Sequence, residues 1–91
     1  MPRISEKKLK RLKEEIISIL YDNPVKPLFT SEIAEELIRD EEFTLKLLKQ
    51  LNSDGIIKEI KKNKHGKEFL SRRKWTLESQ VYVKYKQLIN H

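Results

Sequence analysis

The amino-acid sequence predicts a mainly α domain with a small β-hairpin: a three-helix core, a two-stranded hairpin and a C-terminal helix. Three observations carry this expectation. Apolar residues recur at steps of three and four up to Gly55. After Gly55 they alternate with polar ones, which is the period of a half-buried strand. The changes of period fall at residues suited to capping or breaking a helix.

The elements follow in order. Ser5 can cap a first helix, 5–21, in which Leu9, Leu12, Ile16 and Leu20 fall on one stripe. "DNPVKP" carries two prolines, which exclude helix and make an extended connection. Thr30 or Ser31 can cap a second helix, 31–39, with Glu32 in its first turn where the helix dipole favours an acid. Asp40 can cap a third, 41–53, closed by Gly55 as a left-handed C-terminal residue. "IIKEIKK" and "KEFLSRRKWTL" then read as two antiparallel strands joined through "NKHG", a hairpin over 56–77. Thr76 or Ser79 can cap a last helix, 78–90, with Val81, Tyr85 and Leu88 on one side and Tyr82 and Ile89 adjacent. No linker or repeat divides residues 1–91, so a single domain is expected.

Composition restricts function. The charged and hydrophobic fractions are both 37% and the formal net charge is +6. The periodic placement of the apolar residues argues for a folded, basic protein. There is no cysteine, hence no thiolate nucleophile and no cysteine-based metal site. No segment approaches the roughly 20 apolar residues of a membrane span, and a cytoplasmic protein is expected. The two glycines, Gly55 and Gly66, begin no phosphate-binding loop, and two histidines, His65 and His91, assemble no catalytic triad or metal site. The acids lie three and four residues from cations, as on ordinary helix surfaces. The chain is expected to be no enzyme and to need no cofactor or metal.

Charge is distributed very unevenly. Between Lys58 and Lys74 eight cations face only Glu59 and Glu68, giving +6, the whole net charge of the molecule. A positive field gathered in one hairpin is the electrostatic footprint of a nucleic-acid phosphate contact. Lysines on exposed strands also prevent edge-to-edge pairing, which accounts for a few of these cations but not for Arg72, Arg73 and Lys74 in a row. Thr30 to Glu42, by contrast, carries six acids against Arg39, a net −5. Trp75 lies in phase with Phe69, Arg73 and Leu77; burial against the helices and base stacking are the two readings open to it.

The stretch "IAEELIRDEEFTLKLLKQLNSDGII", residues 33–57, resembles the winged helix-turn-helix of prokaryotic and archaeal transcription regulators. Ile33, Ala34, Leu37, Thr44, Leu48, Leu51, Gly55, Ile56 and Ile57 stand at the places of that pattern without insertion. The chain departs from it in the inter-helix turn, where Ile38 stands in place of the usual Gly. The resemblance implies a DNA-binding protein that meets double-stranded DNA with its third helix and its hairpin, the wing. The nucleic-acid candidates are Thr44, Lys46, Lys49 and Gln50 on the third helix, and Lys61, Lys62, Lys64, His65, Lys67, Arg72, Arg73 and Lys74 on the wing. The last helix can cover the first helix of its own chain or pair with a second copy; the resemblance implies a homodimer through the terminal helices, with Val81, Tyr82, Tyr85, Leu88 and Ile89 as interface candidates. Two alternatives stay open: an architectural or RNA-binding protein without sequence readout, and a protein-interaction winged helix using its acidic helix pair.

Overall fold

The computed structural model describes residues 5–60 and 73–89. Four helices and three short strands follow one another as α1 (Glu6–Tyr21), β1 (Leu28–Phe29), α2 (Thr30–Leu37), α3 (Glu41–Ser53), β2 (Ile57–Ile60), β3 (Lys74–Leu77) and α4 (Ser79–Ile89). The fold is a winged helix-turn-helix, as the resemblance implied.

Local chemistry sets the helix ends. Ser5 Oγ accepts from the Lys8 N–H at 3.2 Å, and Asp40 Oδ1 accepts from the Phe43 N–H at 3.3 Å, so both expected caps form. Each satisfies one of the donors that a helix start leaves without an internal partner. α3 ends in a double C-terminal hydrogen bond: Gly55 N–H donates to Asn52 and Ile56 N–H to Leu51. This motif requires a left-handed residue at Gly55, whose φ is 77°.

α2 ends in the same way but without a glycine. Ile38 N–H donates to Glu35 and Arg39 N–H to Ala34, and Ile38 adopts φ 59°, ψ 49°. A β-branched residue pays roughly 1–2 kcal/mol for that conformation because its Cβ crowds the following carbonyl. The side chain recovers little of this by burial, since it is 86% exposed.

Two expectations about helix starts are corrected. α2 begins at Thr30, with Phe29 as the residue outside it, and neither Thr30 nor Ser31 caps it. Glu32 Oε1 reaches back to the Phe29 N–H at 2.8 Å. The Thr30 hydroxyl is drawn away by the sheet: it accepts from Trp75 Nε1–H at 2.8 Å and donates to the Arg73 carbonyl at 3.4 Å. Thr76 belongs to β3, and α4 opens at Ser79, where the Tyr82 N–H donates to the Glu78 carbonyl.

The hairpin is part of a larger sheet than expected. β2 and β3 pair antiparallel in the register Ile57↔Leu77 to Ile60↔Lys74. A third strand, β1, pairs on the other side of β3 through Leu28↔Trp75 and Phe29↔Lys74, so the order is β1-β3-β2 and β3 is central. The Thr30 N–H continues this ladder by donating to the Arg73 carbonyl at 3.0 Å. A helix-start donor is thereby satisfied by a carbonyl 43 residues away, next to the start of β3.

The core lies between the helices and the inner face of this sheet. α1 contributes Leu12, Ile16 and Leu20, α2 contributes Ile33 and Leu37, α3 contributes Leu47, Leu48 and Leu51, and the sheet adds Leu28, Ile57, Trp75 and Leu77. Trp75 is fully buried, which decides between its two readings in favour of packing. Ala34, 3% exposed, keeps the inner face of α2 small.

Leu48→Ala should lower the unfolding free energy by about 2–5 kcal/mol, as truncation of a fully buried leucine does; chemical denaturation checks this. Ile38→Gly should raise it by about 1 kcal/mol, because glycine adopts the left-handed conformation without strain. Equal or lower stability of that variant would contradict the strain at Ile38.

Candidate nucleic-acid interface

α3 presents two surfaces. Its inner side carries Thr44, Leu47, Leu48 and Leu51, all buried. Lys46, Lys49 and Gln50 are exposed and stand at spacings of three and four, so they share one outward patch. At the N-terminal end of the helix Glu41 and Glu42 are exposed, and Asp40 is occupied as cap. The outward surface of α3 therefore changes sign along its length.

Thr44 is a correction to the expected contacts. It is fully buried, and its hydroxyl donates to the Asp40 carbonyl at 2.8 Å, one turn back. A threonine can face inward on a helix because this bond satisfies its only donor. It is a core residue and offers nothing to a groove.

The base of the wing is described from both strands. Alternation puts Ile57, Glu59, Trp75 and Leu77 on the inner face and Lys58, Ile60, Lys74 and Thr76 on the outer one. Lys58 and Lys74 are exposed there, and the Lys74 ammonium lies 4.9 Å from the centre of the Phe29 ring. Arg73 pairs with Glu59 through Nε and Oε2 at 3.4 Å, with the arginine side chain 39% exposed. The glutamate side chain is only 13% exposed, so the pair is partly buried and the carboxylate lowers the positive charge that Arg73 offers to a phosphate. Lys61, Lys62, Lys64, His65, Lys67 and Arg72 lie outside the described residues.

The interface candidates on α4 divide in two. Val81 and Tyr82 pack against the core of their own chain. Tyr82 stacks on Tyr21 of α1 with ring centres 5.0 Å apart, and Tyr85 tilts against the same ring at 4.8 Å. Burial raises the Tyr21 phenol above 10.0, and the neighbouring Tyr82, Asp22 and Tyr85 raise it further. The neutral phenol is thus favoured by the fold, a contribution present below pH 10 and lost as pH rises through the raised value. Leu88 is 72% exposed and Val83, which the apolar stripe did not include, is 51% exposed. The side chain of Ile89 is not among those described.

Among the described residues no group of three or more His, Cys, Asp and Glu could hold a metal ion, and no helix is long and apolar enough to cross a membrane.

The geometry defines a winged helix-turn-helix domain with a sign-changing third helix and a cationic wing base. No protein-family model matches the sequence, and no curated protein is significantly similar to it. Solved structures are similar in fold. The apo form of a ZitR double mutant from Lactococcus lactis superposes with a TM-score of 0.68 at 22% identity, over 93% of this chain and 59% of that one. A MepR variant from a multidrug-resistant S. aureus clinical isolate gives 0.70 at 16% identity, over 94% and 63%. MepR in complex with DNA gives 0.68 at 16% identity, over 93% and 72%. The chain thus spans about three fifths of the length of the first two proteins. At these identities the likeness is one of fold.

Thr44→Val should cost about 1 kcal/mol of stability through the lost hydroxyl bond. Its DNA affinity should stay within about twofold of wild type, because the position reaches neither base nor phosphate. A much larger loss of affinity, measured by anisotropy on a folded variant, would return Thr44 to the interface.

Proposed function

We propose that the chain is a DNA-binding transcription regulator, not an enzyme, that acts in the cytoplasm as a homodimer on double-stranded DNA. The observation that carries this reading is the concentration of the entire +6 charge between Lys58 and Lys74, on a wing whose base is held rigidly by a three-stranded sheet. Lys61, Lys62, Lys64, His65, Lys67, Arg72, Arg73 and Lys74 contact phosphates and supply affinity. Lys46, Lys49 and Gln50 enter the major groove and supply what sequence preference there is. MepR, a regulator of the efflux pump MepA that is also known in complex with DNA, supports the reading by its similar fold. In the dimer, Leu88 and Val83 are the exposed apolar residues of α4 available to a second copy. Val81, Tyr82 and Tyr85 chiefly clasp α4 to its own α1.

One observation favours a second reading, an architectural or RNA-binding protein without base readout. Glu41 and Glu42 stand exposed at the end of α3 that such regulators insert first, and they oppose phosphates there. A carboxylate can accept from cytosine N4, so the acids also suit selective docking.

Replacing Arg72, Arg73 and Lys74 together with Ala should weaken binding to all duplexes alike and flatten the salt dependence by up to about three phosphate contacts. Affinity and salt slope equal to wild type would refute the wing as the phosphate clamp. Competition by random duplex separates the two readings: a regulator keeps a preferred sequence in its presence, an architectural protein does not.

A further inference from the structure

A groove of about 380 Å³ opens between the N-terminal half of α1 and the C-terminal end of α2. None of the side chains assigned to DNA above lines it. Its floor is apolar, with Leu12 and Leu37 as the buried walls, 8% and 6% exposed. At its rim stands Ile38, 86% exposed, in the strained left-handed turn that closes α2. Lys8, Arg11 and Arg39 surround it, with Glu15 as the one acid of the lining.

We infer that this groove docks an acidic amphipathic helix of a partner protein, with Ile38 as its apolar anchor. Ile38 contributes little to the chain's own stability: its backbone is strained and its side chain faces water. Burying that side chain against a partner would contribute to binding, and strain kept at an exposed apolar residue points to function. The ligand's character follows from the lining. Three cations around an apolar floor select a partner that offers carboxylates beside an apolar stripe, the helix-in-groove mode of recognition. Nucleic acid fits less well, because Asp40 and Glu41 follow Arg39 directly and would oppose a phosphate backbone. A small molecule would remain half exposed in a groove this open, whereas a helix lying along α1 and α2 covers it.

The test uses the full chain and a fluorescently labelled synthetic helix with leucines on one face flanked by glutamates. The control peptide replaces every glutamate with lysine. Anisotropy titrations compare wild type with Ile38→Gly, which should fold at least as stably, and with the double variant Lys8→Glu/Arg11→Glu. The acidic peptide should bind about tenfold or more tightly than the basic one, and each variant should weaken it about fivefold or more, as loss of an anchor or its charges does. DNA affinity of Ile38→Gly should be unchanged, and saturating duplex DNA should not displace the peptide. Equal binding of both peptides, no binding of the acidic one, or unchanged affinity in Ile38→Gly would overturn the assignment. Displacement by DNA would make the groove part of the nucleic-acid surface and overturn it as well. Self-association that Ile38→Gly abolishes would give the groove to a second copy instead.

Discussion

The fold turns on Trp75. It sits at the centre of the middle strand, fully buried, and its indole N–H donates to Thr30 at the first turn of α2. The Thr30 N–H in turn donates to the Arg73 carbonyl, one residue beyond the described start of β3. A small domain has few ways to join a helical core to a sheet without leaving buried polar groups unpaired. Here one indole and one threonine satisfy each other, and the same threonine closes the ladder between β1 and β3. Among the described residues no buried side-chain nitrogen or oxygen is left without a partner. The described base of the wing, β2 and β3, is therefore fixed to the body of the protein by core packing.

Exposed charge changes sign from element to element. The wing base carries Lys58 and Lys74 outward, while the first turn of α3 exposes Glu41 and Glu42. Further along α3, Lys46, Lys49 and Gln50 restore a cationic and polar face. In the proposed mode of binding a polyanion would be attracted by the wing cations and by Lys46 and Lys49, and repelled by Glu41 and Glu42. Repulsion of this kind discriminates among orientations and partners more than it adds affinity.

Much of this was legible in the sequence because helices announce themselves locally. The stripe Leu12, Ile16 and Leu20, the caps Ser5 and Asp40, and the left-handed Gly55 all depend on neighbours within a turn or two. What escaped depends on distant partners. β1 is two residues long after a proline-rich connection, and it exists because β3, some 45 residues later, supplies its hydrogen bonds. Thr30 has the residue type of a cap, yet a tryptophan 45 residues away claims its hydroxyl. Thr44 reads as outward because its hydroxyl is polar, and its bond to the Asp40 carbonyl is what lets it face inward. For the tyrosines of α4 the sequence leaves the first helix and a second copy both open as partners, because nothing near them shows that Tyr21 lies opposite.

The measurement that tests the central claim most directly is a fluorescence-anisotropy titration of the chain with random duplex DNA at low and at moderate salt. A polyanion-binding wing predicts micromolar affinity at low salt that falls steeply, by orders of magnitude, as salt is raised, because each neutralised phosphate releases counterions. Absence of binding at low salt, or binding indifferent to salt, would contradict it and leave the cationic hairpin a solvated surface.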